Sequence, residues 1–330
     1  MNYQEAGVDT AAKAEALAGV GEAVRSTYTP EVLLGIGAFG GGYAANRIKA
    51  MREPVLVAST DGVGTKVMLA LELGRPEGLG WDLVHHSVND VLAQGALPLF
   101  FLDYVAAAKL EPQTLTALIN SVAAACRNLG IPLLGGESAE MPGVYREQSW
   151  DLAGTLVGVV ERSRVINGVG VRPGDLIHAL PANGPHTNGY SLIRRIVAGK
   201  DLNAAPPELA GLSLAEALLA PHRCYLPEVG AWQEAGLELK ALAHITGGGI
   251  YENLPRVLPA GCGALIKPLE VPYIFSWLAE AGGLANTEMY RVFNMGLGYL
   301  AITSVGINLP GATVVGEVVA GSGVRLEGID

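Results

Sequence analysis

The sequence predicts an α/β protein of mixed α+β character, built from two domains. The chain has 330 residues, which is too long for one ordinary domain and favours two of about 150 residues each. Half of the residues are hydrophobic and only 16% are charged, so a large core is available. In both halves, apolar runs of strand length alternate with amphipathic helical patterns, and the strands end in polar, glycine-rich loops.

The first half shows a regular succession of elements. Its clearest helix covers residues 112–129, with Pro112 in the first turn, Leu115 and Leu118 in the apolar stripe, and Gly130 after the end. The other elements follow from apolar periodicity. They are helices at 9–26 and 80–95, strands at 55–60, 97–105, 131–134 and 152–160, and a glycine-rich loop at 35–42.

A polar, turn-rich segment, ERSRVINGVGVRPG at residues 161–174, is the best candidate for a domain boundary. We therefore predict an N-terminal domain of residues 1–165 and a C-terminal α/β domain of residues 166–330. After the boundary the pattern begins again. It predicts strands at 175–180, 241–245, 263–267, 296–303 and 312–319, with helices ending near 197 and covering 273–281.

Charge and cysteine content exclude several classes of function. The chain has 32 acidic and 22 basic residues, a net charge of −10, which argues against nucleic acid as a partner. A small phosphorylated substrate stays compatible, because metal ions bridge anionic surfaces. The three cysteines have no CxxC or disulfide-like spacing. With no signal-peptide pattern and no apolar run of transmembrane length, we expect a soluble cytoplasmic protein without membrane contact.

The stretch TDGVGTK, residues 60–66, resembles a phosphate-binding loop but fails its test. A P-loop needs Gly directly before Lys, whereas Thr65 precedes Lys66 here, and Asp61 would repel a phosphate. One interpretation is a glycine-rich turn in which Asp61 caps a helix and Lys66 is solvated. The other is a loop that meets phosphate through a metal ion.

Two further carboxylates favour the metal ion. Asp90 lies in HHSVND, on the side of a predicted helix opposite the apolar stripe, and we expect His86, Asn89 and Asp90 to face loops there. Glu137 follows two glycines at a predicted strand end. Hard cations such as Mg²⁺ take carboxylate oxygens and bridge them to phosphate, while backbone amides and a lysine hold the remaining phosphate oxygens.

The second half offers the loop PANGPHTNGYS before a predicted helix. Free amides at such a helix start suit a phosphate, and His186 has a pKa range suited to moving protons. The alternative is a surface histidine with Asn188 as a simple N-cap. The loop TGGG, residues 246–249, also precedes a predicted helix. The same two interpretations apply to it: a phosphate site or a simple helix start. His85, His178, His222 and His244 show no metal-like spacing and are predicted to be structural or surface residues.

The ordered motifs resemble one family over nearly the whole chain. They are AGVD, REPVLVASTDGVGTK, SVNDVLAQGA, PLFFLDY, GGESAEMPGVY, GPHTNGYSLIR, LAHITGGGIYENLPRVLP and MYRVFNMGLG. The set is similar to the phosphoribosylformylglycinamidine cyclo-ligases, also called aminoimidazole ribonucleotide synthetases. TDGVGTK and VND are shared across a wider superfamily, whereas FFLDY, AEMPG and GPHxNGYS together point to the cyclo-ligases.

The resemblance implies a homodimer in which N-terminal domains for ATP binding and dimerisation join their sheets into a barrel. It implies Mg²⁺ and ATP as cofactors and leaves a requirement for K⁺ open. The reaction would convert formylglycinamidine ribonucleotide and ATP into aminoimidazole ribonucleotide, ADP and phosphate, a step of purine biosynthesis.

Site residues follow from the same resemblance. The predicted metal ligands are Asp61, Asp90 and Glu137, and the predicted catalytic residues are His186, Asp61, Asp90 and Lys66. ATP contacts are predicted for Thr60, Gly62, Gly64, Thr65, Asn89, Gly135 and Gly136. Substrate contacts are predicted for Thr187, Asn188, Gly189, Tyr190, Gly247, Gly248, Arg291 and Asn294.

The chain departs from the family pattern in small ways. Thr187 replaces a serine, GGES replaces GGET, and the N-terminal helical stretch holds few basic residues, with Lys13 and Arg25. The alternatives are other ATP-dependent enzymes of the superfamily, namely formylglycinamidine ribonucleotide synthetase, thiamine-phosphate kinase or selenophosphate synthetase. A non-catalytic nucleotide-binding protein on the same fold is the alternative of a different class.

Overall fold

A computed structural model describes residues 19–329, and its contacts divide the chain into two compact units. The first comprises the chain up to Val91 together with Ala96–Ser163, and the second comprises Leu92–Gly95 together with the chain from Arg164. The short segment Leu92–Gly95 belongs with the second unit because the carbonyl of Gln94 accepts a hydrogen bond from the Ile166 amide. The functional roles predicted for residues 1–165 and 166–330 stay predictions.

The first unit combines a four-stranded sheet, a small two-stranded sheet and helices. Its strands are β1 (Val32–Leu34), β2 (Gly42–Tyr43), β3 (Pro54–Gly62), β4 (Leu97–Ala107), β5 (Leu133–Glu140) and β6 (Trp150–Glu161). Its helices are α1 (residues 19–25), α2 (Asn46–Lys49), α3 (Lys66–Glu72), α4 (Leu79–Leu92) and α5 (Pro112–Asn128).

The larger sheet of this unit has the order β3-β6-β4-β5. Pairing is antiparallel except between β4 and β5, which run parallel through the long crossover that contains α5. Helix α4 packs against one face, where a methyl group on Gly158 of β6 would lie 2.6 Å from Val91. The opposite face keeps apolar groups accessible to solvent, among them Leu56, which is 59% exposed.

The second unit is built on a six-stranded sheet. Its strands are β7 (Leu176–Pro181), β8 (Ala241–His244), β9 (Cys262–Ile266), β10 (Leu297–Thr303), β11 (Thr313–Ala320) and β12 (Val324–Leu326). Its helices are α6 (Tyr190–Val197), α7 (Leu214–Leu219), α8 (Leu226–Glu234), α9 (Gly249–Asn253), α10 (Tyr273–Gly282) and α11 (Asn286–Val292).

This second sheet has the order β12-β9-β11-β7-β10-β8 and is antiparallel apart from the β12–β9 pair. Strand β10 lies between β7 and β8, and all of its residues are buried. A strand that is covered on both faces accounts for its nearly continuous apolar sequence, LGYLAIT. Because β7 and β8 both pair antiparallel with β10, their carboxyl ends lie at the same edge of the sheet.

The mixed α/β character is confirmed, and so is the helix predicted at 112–129, which is α5. The strands of the larger first sheet are longer than predicted: β3 continues through Asp61 and Gly62, β5 continues through GGESAE to Glu140, and β4 and β6 extend by two or three residues. The sequence did not predict the short elements α2, α7, α8, α11, β1, β2 and β12, which give little periodic signal. Of the helix predicted at 9–26, residues up to 18 lie outside the described residues. Between residues 19 and 329, no helix is both long and apolar enough to cross a membrane.

Candidate functional site

Two of the predicted carboxylates meet at one imidazole in the first unit. The Nε2 atom of His86 on α4 lies 2.8 Å from Oδ2 of Asp61 on β3 and 3.6 Å from Oδ2 of Asp90. Ser59 adds a hydrogen bond of 3.0 Å from its hydroxyl to the Asp90 carboxylate. Residues 59 and 61 share one face of β3 because side chains alternate along a strand. Helix α4 packs against this face and holds the two acids together.

The pair formed by Asp61 and His86 has opposed pKa shifts. Burial alone would lower the pKa of His86, but the hydrogen bond to Asp61 and the charges of Asp90 and Asp61 outweigh it and raise the pKa above its ordinary value. Partial burial would raise the pKa of Asp61, yet the bond to His86 and the Gly62 amide hold it below its ordinary value. Protonated His86 therefore stands where a cation between the two acids would stand.

The expectation that His86 and Asn89 face loops is wrong, and the phosphate contact predicted for Lys66 stays a prediction. His86 and Asn89 were expected to face loops but are buried, because α4 is covered on nearly all sides. Lys66 was expected to hold phosphate, but its side chain is buried and its ammonium lies 2.8 Å from Oδ1 of buried Asp82. Burial lowers the pKa of Lys66, against the opposing charge of Asp82. Helix α3 turns Lys66 into the interior.

Glu137 does not join Asp61 and Asp90 within one chain. The register aligns Asp61 of β3 with Gly154, then Asp103, then Gly136 of β5 across the whole sheet. Three interstrand spacings separate the two edges by about 14 Å. Glu137 is one position beyond Gly136 and so lies on the opposite face from Asp61. Within one subunit Glu137 is therefore remote from Asp61 and Asp90, and a metal ion held by all three acids stays a prediction.

The glycines predicted to bind ATP have other local roles as well. Gly135 and Gly136 are in strand β5 instead of a loop, and a methyl group on Gly136 would lie 1.8 Å from Oδ1 of Asp103. The Gly62 amide donates to Asp61 at 2.7 Å. Gly64 has a φ of 66°, which a side chain disfavours, and leads into α3 after Thr65. Thr60 faces away from Asp61 and lies 2.8 Å from the Thr155 hydroxyl.

In the second unit, His186 occupies a strained and buried position. Its φ is 60°, a left-handed conformation that is rare for histidine, and its side chain is inaccessible to solvent. Its Nε2 atom lies 3.0 Å from Oδ1 of Asn183, and the amide of Asn183 donates from Nδ2 to the carbonyl of Pro221 at 2.8 Å. With Nδ2 so engaged, Oδ1 is the acceptor. His186 therefore carries its proton on Nε2, which makes Nδ1 the basic nitrogen.

Two histidines that the sequence predicted to be structural or surface residues lie beside His186. The ring of His222 stacks on that of His186 with centroids 3.9 Å apart, and Nε2 of His222 lies 2.9 Å from Nε2 of His244. All three are buried. The signal that could have found His244 is topological: Tyr299 of β10 pairs with Leu180 of β7 on one side and His244 of β8 on the other. The loop after β7 must therefore pass the end of β8.

Several predicted substrate-binding residues of this loop are engaged in packing. Tyr190 is buried and donates its hydroxyl to the carbonyl of Leu218, and the substrate contact predicted for Tyr190 stays a prediction. Gly189, not Asn188, caps α6, with a φ of 77°. A methyl group on Gly189 would lie 2.3 Å from the ring of Phe293. Glycine is therefore required here by conformation and by close packing.

Thr187 and Asn188 remain at the loop surface of the unit, only partly buried. The Thr187 hydroxyl lies 3.5 Å from Nδ1 of His222. The Nδ2 atom of Asn188 is buried and has no hydrogen-bond partner among the described residues. A buried amide donor of this kind is costly unless a ligand or water accepts from it. Its position fits the predicted contact with a substrate oxygen.

The TGGG loop is held by hydrogen bonds from one side chain. Nδ2 of Asn253 on α9 donates to the carbonyls of Gly247 at 3.0 Å and Gly249 at 2.7 Å. Gly248 and Gly249 have φ values of 88° and 58°. A methyl group on Gly249 would lie 2.0 Å from the carbonyl oxygen of Tyr290. The loop therefore needs glycines for its backbone conformation, and the hydrogen bonds from Asn253 hold that conformation.

Asn294 and Arg291, the last predicted substrate contacts, differ in their surroundings. Both ends of the Asn294 amide are used within the protein, since Nδ2 donates to the carbonyl of Gly184 and Oδ1 accepts from the Gly296 amide, each at 2.9 Å. Asn294 therefore supports the loop, and its predicted contact with substrate stays a prediction. Arg291 lies on α11 and is exposed.

Solved structures with similar folds include a thiamine-monophosphate kinase and a hydrogenase maturation protein. Thiamine-monophosphate kinase from Stenotrophomonas maltophilia K279a superposes with a TM-score of 0.68 at 17% identity, covering 94% of this chain and 96% of that one. The hydrogenase maturation protein HypE in complex with ATP gives a TM-score of 0.65 at 16% identity, covering 95% of this chain and 91% of that one. At these identities, the likeness shows the fold alone.

Sequence comparisons identify the family. Residues 43–160 match the family described as AIR synthase related protein, N-terminal domain, and residues 172–329 match its C-terminal domain. A phosphoribosylformylglycinamidine cyclo-ligase from Gloeobacter violaceus is 49% identical over 302 residues, 90% of this chain and 88% of that protein. One from Oceanobacillus iheyensis is 43% identical over 304 residues, 92% and 89% of the two chains. The chain belongs to the phosphoribosylformylglycinamidine cyclo-ligase family.

Proposed function

We propose that the protein closes the imidazole ring of aminoimidazole ribonucleotide from formylglycinamidine ribonucleotide at the expense of ATP. The observation that carries the proposal is the identity of 49% to a cyclo-ligase over 90% of the chain. This similarity is far greater than the 17% shared with the thiamine-monophosphate kinase of similar fold. Scattered free cysteines favour the reducing cytoplasm as its location.

The reaction needs activation of a poor leaving group. The formyl oxygen of the substrate takes the γ-phosphoryl group of ATP, and the bond to ADP breaks. An amidine nitrogen then attacks the activated carbon, the carbon–oxygen bond breaks, phosphate leaves, and the nitrogen loses its proton. Most of the catalysis in phosphoryl transfer consists of positioning and charge stabilisation.

Asp61 and Asp90 are the residues that fit Mg²⁺ on the nucleotide. Both carboxylates approach the same point beside His86, and both are partly accessible, with side chains 46% and 30% exposed. Asp61 and Asp90 would hold the ion, which would supply neutralisation of phosphate charge. His86 lies 2.8 Å from Asp61 and 3.6 Å from Asp90 and would keep the two carboxylates close together. The main-chain groups of Gly62, Gly64 and Thr65 lie beside Asp61 and would line the nucleotide.

The open face of the first sheet supports a homodimer. The face of the first sheet that α4 leaves open carries Leu56 and the accessible side chain of Glu137. Leu33 and Leu34 of the neighbouring small sheet are 68% and 58% exposed. Apolar groups of this extent mark contact surfaces. Pairing of two such faces would bury these apolar groups and would place Glu137 at the contact between the subunits.

His186 is the proposed proton acceptor. Its Nε2 proton is committed to Asn183 at 3.0 Å, so Nδ1 is the nitrogen that takes the proton released by the attacking amidine. His186 lies in a loop with a left-handed backbone conformation, and its ring is buried. Thr187 and Asn188 follow in the same loop and would bind substrate oxygens, together with Gly247, Gly248 and Arg291.

One assay tests the proposed function. The protein is incubated with ATP, Mg²⁺ and formylglycinamidine ribonucleotide, with and without K⁺, and aminoimidazole ribonucleotide and phosphate are measured. We expect both products in equal amounts. A parallel reaction with thiamine monophosphate should yield no diphosphate. Phosphate release without the aminoimidazole product, or turnover of thiamine monophosphate alone, would contradict the proposal.

Two variants separate the roles of the two units. Asp61→Asn should raise the Mg²⁺ concentration needed for half-maximal activity. His186→Phe keeps the ring volume and should lower kcat by about 10²–10⁴, the usual contribution of a general base. His178→Gln is the matched control, because this buried histidine bonds to Thr303 outside the site. Unchanged kcat in His186→Phe would remove His186 from the chemistry.

A further inference from the structure

The second unit contains a compact group of three buried histidines with no assigned role as a group. His186, His222 and His244 each offer a ring nitrogen, and these nitrogens lie within 4.8 Å of one another. They come from three separate segments: the loop after β7, the segment before α8, and the end of β8. Buried imidazoles from separate segments that converge in this way are a common form of transition-metal site.

Hydrogen bonds from the histidine rings to residues outside the group determine which ring nitrogens keep a lone pair. Asn183 accepts the Nε2 proton of His186 at 3.0 Å, which leaves the lone pair on Nδ1. Nδ1 of His222 lies 3.5 Å from the Thr187 hydroxyl, on the side of the ring opposite Nε2. Metal-bound histidines usually donate their other ring proton to such an outer partner, which fixes ring orientation and tautomer. Asn183 and Thr187 occupy those outer positions here.

The contact between His222 and His244 suits a cation as well as a proton. Their Nε2 atoms are 2.9 Å apart, so in the metal-free protein one of them must hold a proton for the other. A metal ion replaces this shared proton, and the donor ring shifts its proton to Nδ1. The pair is thus already aimed at a common point.

We propose that His186, His222 and His244 form a site for a divalent transition metal such as Zn²⁺ or Co²⁺. The ligands are Nδ1 of His186 and the Nε2 atoms of His222 and His244. Three imidazoles leave one tetrahedral position for water or another oxygen ligand. Neutral nitrogen donors suit Zn²⁺, Co²⁺ and Ni²⁺, whereas Mg²⁺ prefers oxygen ligands. The site is therefore different in chemistry from the acids Asp61 and Asp90.

Binding changes the geometry in a defined way. Metal–nitrogen distances near 2.0 Å place tetrahedral ligands about 3.3 Å apart, so the Nε2 atoms of His222 and His244 separate slightly from 2.9 Å and the nitrogen of His186, now within 4.8 Å of both, adjusts to the same spacing. The His186 ring must leave its stack on His222, since stacked rings do not aim at one point. His186 and His222 lie outside helices and strands, which allows this rotation.

The metal also has a consequence for turnover, which rests on the proposed function. Nδ1 of His186 is both the proposed proton acceptor and the proposed metal ligand. Zn²⁺ should therefore inhibit the cyclisation, and excess Mg²⁺ should not relieve the inhibition. Binding itself is measured on the protein alone, so a failed activity assay leaves the metal test intact.

The test is titration of chelator-treated, full-length protein with Co²⁺, followed by displacement with Zn²⁺. We expect one Co²⁺ per chain, with the visible absorption of a four-coordinate nitrogen-rich site. His222→Phe and His244→Phe keep ring packing and should each weaken binding at least about 100-fold. Asn183→Ala should weaken it about 10–100-fold, as removal of an outer partner does. His178→Gln is the control and should bind normally.

Each alternative outcome overturns the proposal. Absence of Co²⁺ binding by the wild-type protein would do so, as would undiminished binding by both phenylalanine variants. Strong sulfur-to-cobalt charge-transfer bands would assign the metal to Cys224, two residues from His222. Burial raises the pKa of Cys224 to about 12, so we expect no such bands and normal binding by Cys224→Ser. Circular dichroism of each variant shows whether it has folded. If His222→Phe has not folded, His222→Gln replaces it.

Discussion

The imidazole of His86 stands 2.8 Å from the carboxylate of Asp61, and the pKa of His86 is raised while that of Asp61 is lowered. The stability from protonated His86 is fully present below its unfolded pKa and is lost as pH rises through the raised folded pKa. The stability from ionised Asp61 is present above its unfolded pKa and is lost as pH falls. The pair therefore stabilises the fold most between about pH 4 and 6.5.

We accordingly expect His86→Gln to lower the free energy of unfolding at pH 5.5. This loss should become smaller as pH rises towards 8. A hydrogen bond to a charged group contributes about 1.5–3 kcal/mol, which sets the upper range of the difference at pH 5.5. Urea unfolding across this pH range measures it. His178→Gln is the control, because burial lowers the pKa of His178. A difference that grows with pH would contradict the assignment of charge to His86.

The buried ion pair between Lys66 and Asp82 gives a second prediction. The atoms are 2.8 Å apart and both side chains are almost fully buried. Removing one partner leaves an uncompensated charge, so Lys66→Met should lower the free energy of unfolding by about 3–5 kcal/mol. The double variant Lys66→Met with Asp82→Leu should recover most of this loss. Urea unfolding of the three variants gives the coupling between the residues.

The same variants show whether Lys66 touches ATP. If its role is to hold α3 to α4, the double variant should keep the wild-type KM for ATP within about threefold. A much larger increase in KM, in a variant of restored stability, would return Lys66 to the nucleotide site.

The outcome for the acidic residues shows what the sequence could and could not specify. Asp61 and Asp90 were predicted to act together, and they do meet, because strand and helix periodicity place them on facing surfaces. Glu137 was grouped with them on motif alone. The sheet order separates it, since β6, which is later in sequence, inserts between β3 and β4. Strand order depends on long-range pairing, which local periodicity does not encode.

The residues of the second unit show a related limit. The loop around His186 was found from its motif, but its burial and its contact with His222 and His244 were not. These histidines are distant in sequence, and only the pairing of β7 and β8 with β10 brings them together. Tyr190 and Asn294 were assigned to substrate because they occur in family motifs. Their polar groups bond to backbone carbonyls and amides.

Asp103 gives a third prediction, in which stability again falls as pH rises. Burial raises its pKa to about 7 from an ordinary value of 3.8. Between pH 3.8 and about 7, Asp103 holds a proton in the folded state but not in the unfolded state. The free energy of unfolding therefore falls as pH rises, by up to about 1.4 kcal/mol per pH unit. Asp103→Asn mimics the protonated acid and should be more stable than wild type at pH 8. Near pH 4 the two should be equal in urea unfolding; a constant difference at all pH values would exclude titration of Asp103.

Asn294 and Arg291 give the last prediction, which separates positioning from binding. Asn294 is buried and joins the carbonyl of Gly184 to the amide of Gly296, each at 2.9 Å. Asn294→Ala removes two hydrogen bonds and should cost about 2–3 kcal/mol of unfolding free energy, while KM for the ribonucleotide rises because the loop loses its support.

Arg291 is exposed, so Arg291→Ala should leave stability within about 0.5 kcal/mol. If Arg291 contacts the substrate phosphate, this variant should raise KM at least about tenfold, whereas Arg291→Lys should restore part of it. Equal KM in wild type and Arg291→Ala would show that Arg291 does not bind the substrate.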